Sequence, residues 1–109
     1  MMKVEPFNVR AEERNGEFTM YLEGELDLAA VPQLQCVLDN VLKREDVALV
    51  LNLRNLTYID STGIGVIVSI LKTRDQLDAP FYVQEIPAKV QRLFDLTGIS
   101  GYLKEGAGT

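Results

Sequence analysis

Apolar and polar residues alternate from Phe7 to Glu13, with Phe7, Val9 and Ala11 on one side, and a period of two predicts a β-strand. Asn15 and Gly16 are residue types that suit a two-residue hairpin turn. Phe18, Met20 and Leu22 then alternate with Thr19, Tyr21 and Glu23, so a second strand should return antiparallel to the first. Gly24, Glu25, Leu26 and Asp27 are expected to leave that strand. Pro32 marks a first helical turn, where its missing N–H costs nothing. Leu34, Val37, Leu38, Val41 and Leu42 follow at helical spacing to about Arg44, with Cys36 off the stripe. The continuous apolar run from Val47 to Leu53 predicts a central strand buried on both faces, ending in a polar loop. A second helix is expected from Thr62 to about Leu77, with Ile64, Ile67, Ile70, Leu71 and Leu77 inward. Phe81, Tyr82 and Val83 form a fourth strand, and Pro87 opens a third helix with Val90, Leu93 and Phe94 inward and Leu96 a further candidate. Gly98 suits the position just past its end, and Ile99, Tyr102 and Leu103 fit a final turn.

The predicted order is β-β-α-β-α-β-α. A strand–helix–strand unit makes parallel neighbours through a right-handed crossover. The fold class is therefore α/β: a small mixed sheet, an N-terminal hairpin plus parallel strands, with helices packed on it. Its ligand surface is expected at a strand-to-helix junction. The chain of 109 residues suits one domain, residues 1–109, with a loose tail at 104–109 where two glycines fall in six residues. There is no internal repeat or linker.

Composition narrows the chemistry. The chain has no His, which removes Ser-His and Cys-His nucleophile pairs and the main nitrogen ligand of zinc sites. Its one cysteine, Cys36, allows no internal disulfide, and an intracellular, cytoplasmic protein is expected. Met1 to Arg10 carries Glu5 and Pro6 and no apolar run, unlike a signal peptide. The uncharged stretch from Ser61 to Leu71 is 11 residues long and holds two glycines, too short for a membrane span. The net charge is −5, and residues 1–27 alone carry three cations against seven carboxylates. No basic patch suggests nucleic acid; an acidic face suits a basic protein partner or simple solubility.

One segment stands out. Asp60, Ser61, Thr62, Gly63, Ile64 and Gly65 fall at the expected start of the second helix. Asp60 or Ser61 can serve as an N-cap. Two glycines in a first helical turn cost about 1 kcal/mol each relative to alanine, and a cap needs neither. Small residues there would admit another protein's backbone. A dinucleotide motif would need glycine where Val68 stands, and a nucleophile elbow glycine where Ile59 stands. No metal cluster, cofactor motif or phosphate-loop lysine is visible, so no catalysis, cofactor or metal of the chain's own is expected. What remains is a hydroxyl at a helix N-terminus, where free N–H groups and the helix dipole favour a phosphate.

Gly24-Glu25-Leu26-Asp27, then Leu56-Thr57-Tyr58-Ile59-Asp60-Ser61-Thr62-Gly63-Ile64-Gly65, then Arg92-Leu93-Phe94-Asp95-Leu96-Thr97-Gly98 together resemble an anti-sigma-factor antagonist, a single STAS domain. With the element order the resemblance spans about Phe7 to Leu103. It implies partner switching. The unmodified protein binds an anti-sigma factor that is also a serine kinase, and so frees a sigma factor for transcription. The kinase phosphorylates the serine matching Ser61, the complex separates, and a metal-dependent serine phosphatase restores the binding form. Asp27 matches the family's acidic residue beside the phosphorylation site. Asp60, Thr62, Gly63, Ile64 and Gly65 match the segment that contacts the kinase. Ala29, Ala30, Val31 and Pro32 offer no side-chain cap where relatives can have one.

STAS domains also serve in lipid-transport complexes, stress-sensing assemblies and anion transporters. A phosphorylated-aspartate receiver is a further alternative, since Asp60 follows a central strand, but a receiver needs an early acidic pair and a later lysine, and here the early strands form a hairpin.

Overall fold

The computed structural model describes residues 7–103; the loose tail expected at 104–109 lies outside them. Four strands form one sheet in the order β1 (Asn8–Arg14), β2 (Glu17–Leu26), β3 (Ala48–Ile59), β4 (Phe81–Gln84). β1 and β2 are antiparallel, and β2–β3 and β3–β4 are parallel. Three helices complete the fold: α1 (Val31–Leu38), α2 (Ser61–Gln76) and α3 (Ala88–Thr97). Asn15 and Gly16 both take positive φ, 52° and 81°, between the paired Arg14 and Glu17. This is the two-residue turn their residue types demand, because its twist matches that of the flanking strands.

The core lies where one sheet face meets the helices. Met20, Leu22 and Leu26 of β2 and Leu49, Leu51 and Leu53 of β3 pack in one cluster with Leu34, Leu38, Ile67, Ile70, Val90 and Phe94. On the other side of β3, Val50 and Asn52 are also buried, as a strand buried on both faces requires. Asn52 is fully used: its amide donates to Gln84 and Glu85, and its carbonyl accepts from the Arg54 N–H.

Three boundaries and one inward-facing residue differ from the pattern-based expectation. First, β2 does not end at Glu23 but runs to Leu26, with Gly24 at φ 85°. Second, β3 does not stop at Leu53 but reaches Ile59. Its pairing to β2 shifts twice, so that Tyr21–Glu23 faces Asn52–Asn55 and Gly24–Glu25 faces Leu56–Tyr58. Each shift accommodates one extra residue, a β-bulge. The hydroxyl of Thr57, inside the second, donates to the Gly24 carbonyl at 3.1 Å. Third, α1 ends at Leu38 and continues to residue 43 only as turns. The Asn40 side chain takes the Cys36 carbonyl at 3.2 Å, the competition with backbone that makes asparagine a poor helix interior. Val41 still faces the core. Fourth, Leu96 is 77% exposed rather than inward. It lies two residues from Phe94, about 200° round the helix. Gly98, at φ 82°, ends α3 as expected, with its N–H and that of Ile99 both bonded to the Phe94 carbonyl.

An exposed ion network ties the hairpin to the α1–β3 connection. Arg44 donates to both carboxylate oxygens of Glu13, at 2.8 and 3.0 Å, and to Asp46 at 3.0 and 2.6 Å. Hydrogen bonding to Arg44 holds both carboxyls below their usual range. A lowered folded-state value means this contribution is full above the ordinary carboxylate range and is lost as pH falls through the lowered values. NMR titration should show Glu13 and Asp46 protonating at lower pH than free side chains, and Arg44→Gln should return both toward normal.

Candidate functional site

The site grows from the ends of two parallel strands. Leu26 of β2 and Ile59 of β3 are register partners, both buried, and the Asp60 N–H reaches the Leu26 carbonyl at 3.3 Å. Asp27 and Asp60, the residues just past the two strands, are therefore brought to the same rim of the sheet. Each acid then opens a helical segment. Asp27 Oδ1 accepts from the Ala30 N–H at 3.2 Å and caps the 3-10 turn Leu28–Ala30 that precedes α1. Asp60 Oδ1 accepts from the Gly63 N–H at 3.0 Å and caps α2. Of the two candidate caps at α2, Asp60 is the one used, and Ser61 is left as the first helical residue with its side chain exposed. As the sequence suggests, Ala30 provides no side-chain cap for α1; the 3-10 turn capped by Asp27 leads into it instead.

The remaining candidates divide by the side of α2 on which they lie. Ser61 and Gly65 are both exposed and, four residues apart, lie one above the other on a helix. Thr62 is half-buried, and Ile64 packs partly against the core. Gly63 is buried. A Cβ on Gly63 would stand 2.6 Å from the Leu26 carbonyl oxygen and 2.8 Å from Ile59 Cγ1, whereas one on Gly65 would meet nothing within 4 Å. This corrects the reading of both glycines as room for an incoming backbone. Gly63 makes room for the chain's own β2, and of the two only Gly65 keeps an open side. Gly63→Ala should destabilise the protein by about 1–3 kcal/mol through overpacking, outweighing the helix propensity gained. Gly65→Ala should stabilise it by up to ~1 kcal/mol. Chemical denaturation of the two variants checks the opposite signs.

Two residues that the sequence pattern does not single out belong to the same strand ends. Leu28, the first residue of the 3-10 turn, is 71% exposed, and Tyr58, paired with Glu25, is 50% exposed. An apolar residue inside a polar, acidic strand end is the sequence signal for both. Elsewhere, Cys36 is exposed and stands alone, as its place off the α1 stripe suggests. Among the described residues no group of three or more Cys, Asp or Glu side chains could hold a metal ion, and no helix is long and apolar enough to cross a membrane.

Residues 8–105 match the model of the STAS domain. An anti-sigma-B factor antagonist of Staphylococcus aureus (strain NCTC 8325 / PS 47) is 31% identical over 102 residues, 94% of each chain. The chain belongs to the STAS family of anti-sigma-factor antagonists. Its fold is shared by an anti-sigma factor antagonist from Mycobacterium paratuberculosis, with TM-score 0.80, 21% identity, and 94% of this chain and 86% of that one covered. It is shared too by the anti-sigma factor antagonist SpoIIAA in its unphosphorylated form, with TM-score 0.76, 19% identity, and coverage of 93% and 90%. The phosphorylated form of that protein, the Bacillus cell fate determinant, superposes with TM-score 0.72 at 18% identity, covering 93% of each chain. The four-stranded mixed sheet with three helices of this STAS domain is thus the fold of these antagonists.

Proposed function

We propose that this STAS domain, unmodified, binds an anti-sigma factor that is also a serine kinase, and so releases a sigma factor. Phosphorylation of Ser61 ends the binding, and a metal-dependent serine phosphatase reverses it. The chain itself catalyses nothing and acts in the cytoplasm, without nucleic acid or membrane. The observation that carries this reading is the placement of Ser61: an exposed hydroxyl on the first residue of a 16-residue helix whose cap is already supplied by Asp60. Because the cap is Asp60, the Ser61 hydroxyl is not needed to satisfy the helix end and is available to an incoming phosphoryl donor. The helix N-terminus also tolerates the product, since its dipole favours an anion. Asp27 and Asp60 at the rim, with Thr62, Ile64 and Gly65 along the first turns of α2, form the contact surface; Gly63 shapes it from beneath.

A kinase that phosphorylates Ser61 must carry nucleotide phosphates close to it. Once Ser61 is phosphorylated, like charges face each other, which accounts for release. Incubation with the cognate kinase and Mg-ATP should place phosphate on Ser61, and Ser61→Ala should abolish the incorporation while still binding. Phosphate mapped to Thr62 alone would sink the assignment.

A further inference from the structure

The rim around Ser61 carries more than charge. Among the described residues, the large hydrophobic side chains left exposed are Leu28, Tyr58, Leu96 and Tyr102. Scattered exposed apolar residues are ordinary, but two of these four share the strand ends that build the site. Tyr58 lies one register step before the buried pair Leu26–Ile59, and Leu28 and Ser61 each lie two residues beyond it. Leu28 is held at the surface because Asp27 caps the turn it begins. Tyr58 is held there because the second bulge sets Ile59 inward and leaves Tyr58 on the other side. The segments 25–28 and 58–61 together contain three carboxylates, Glu25, Asp27 and Asp60, and no cation.

We propose that Leu28 and Tyr58 are the apolar anchors by which the unphosphorylated chain holds its anti-sigma factor, seated in an apolar socket that the partner borders with lysine or arginine. This inference rests on the function proposed above and names the contact that supplies most of its affinity. The physical division of labour is the usual one at protein interfaces. A few desolvated apolar or aromatic side chains carry affinity, while surrounding charges steer encounter and choose the partner. Glu25 and Asp27 match the basic border, and Ser61 is left to face the nucleotide. The same division explains how modification of a small hydroxyl can govern the complex: the anchors bring the partner's nucleotide over Ser61, and a phosphate there prevents them from seating.

The test compares binding of the wild-type chain, Leu28→Ser, Tyr58→Thr and the remote control Leu96→Ser to the cognate anti-sigma factor loaded with ADP. Leu28→Ser and Tyr58→Thr should each weaken binding roughly tenfold or more, with Leu96→Ser unchanged. All three should melt near wild type, since the side chains altered are exposed. If Tyr58→Thr melts early, Tyr58→Gln and the Leu28 variant carry the test. The association rate should fall as salt rises, and Glu25→Gln should flatten that dependence. Wild-type-like binding by both Leu28→Ser and Tyr58→Thr would overturn the anchors while leaving the proposed function standing, and a salt-independent rate would overturn the basic border. A wild-type chain that neither binds the kinase nor is phosphorylated by it would overturn the function itself, and the anchors with it.

Discussion

Arg74→Met should destabilise the protein by about 3–5 kcal/mol, more than a single surface contact can supply. Arg74 has 0% exposure although it carries a charge. Among the described residues its guanidinium makes no ion pair; it donates to backbone carbonyls instead. Nε and Nη2 reach Pro80 at 3.3 and 3.0 Å, Nη1 reaches Leu42 at 3.1 and Arg44 at 2.6 Å, and Nη2 reaches Val47 at 2.7 Å. One side chain thereby fastens the turns that follow α1 and the entry to β3 to the connection between α2 and β4. Burial pulls its pKa below the ordinary arginine value, opposed by the nearby charges of Asp46 and Glu45. Methionine has similar length and apolarity, so the variant removes the forks without opening a large cavity. The cost is the set of carbonyls left without their donor. Arg74→Lys should fall between, because a single ammonium cannot span the same carbonyls. Thermal unfolding reads the effect as a loss of roughly 12 °C or more for the methionine variant. A melting temperature within a few degrees of wild type would mean that water replaces the guanidinium.

Arg74 also shows what the sequence could and could not announce. It falls on the same helical stripe as Ile67 and Ile70, so a charge at a core position was visible. Nothing local says that carbonyls from two connections converge on it, because they lie up to 32 residues away. β3 is a second case. Leu53, Leu56 and Ile59 are all buried, yet they recur every three residues, which is not the period of a strand. The two bulges absorb one residue each and bring all three to the core face. A reading from the continuous apolar run therefore ends the strand at Leu53, where the first bulge begins. By contrast, the hairpin at Asn15 and Gly16, the core face of β2, Ile67 and Ile70 on α2, and the stop at Gly98 depend on neighbours in sequence and are legible there, whereas the burial of Val66 and the place of Leu77 outside the core cluster depart from the expected α2 stripe. The same split runs through the site. Asp60, Ser61 and Gly65 stand where the local pattern places them. Gly63 is not legible in this way because its neighbour is the end of β2, 37 residues earlier, and a glycine facing solvent looks no different in sequence from one facing backbone.

Ser61→Asp should leave the fold intact and weaken binding to the anti-sigma kinase by roughly 30-fold to several-thousand-fold. The two halves of this expectation have different physical origins. Within the isolated chain, Ser61 is exposed at the start of α2, where the dipole favours an anion by about 0.3–1 kcal/mol. Asp60, its neighbour, and Asp27 on the same rim oppose an added negative charge, so the gain is small or cancelled. The hydroxyl is not needed as the capping acceptor, since Asp60 already accepts from the Gly63 N–H. Circular dichroism and melting temperature should therefore stay close to wild type. At the partner surface the charge would have to be desolvated, and in the proposed complex it would face the nucleotide that donates the phosphoryl group, itself an anion. On the basic border proposed above, the partner's cations answer Glu25 and Asp27, so none is set aside for a charge at residue 61. An unmatched buried charge of this kind costs about 2–5 kcal/mol, and at ~1.4 kcal/mol per tenfold that is the stated loss of affinity. Phosphoserine, with about two negative charges at neutral pH, should exceed the mimic. Titration calorimetry of the wild-type chain, the variant and the phosphorylated chain, beside their melting curves, separates two mechanisms. A variant that melts far earlier would make unfolding of the α2 N-terminus the switch. A variant that binds at full strength would remove Ser61 from the interface.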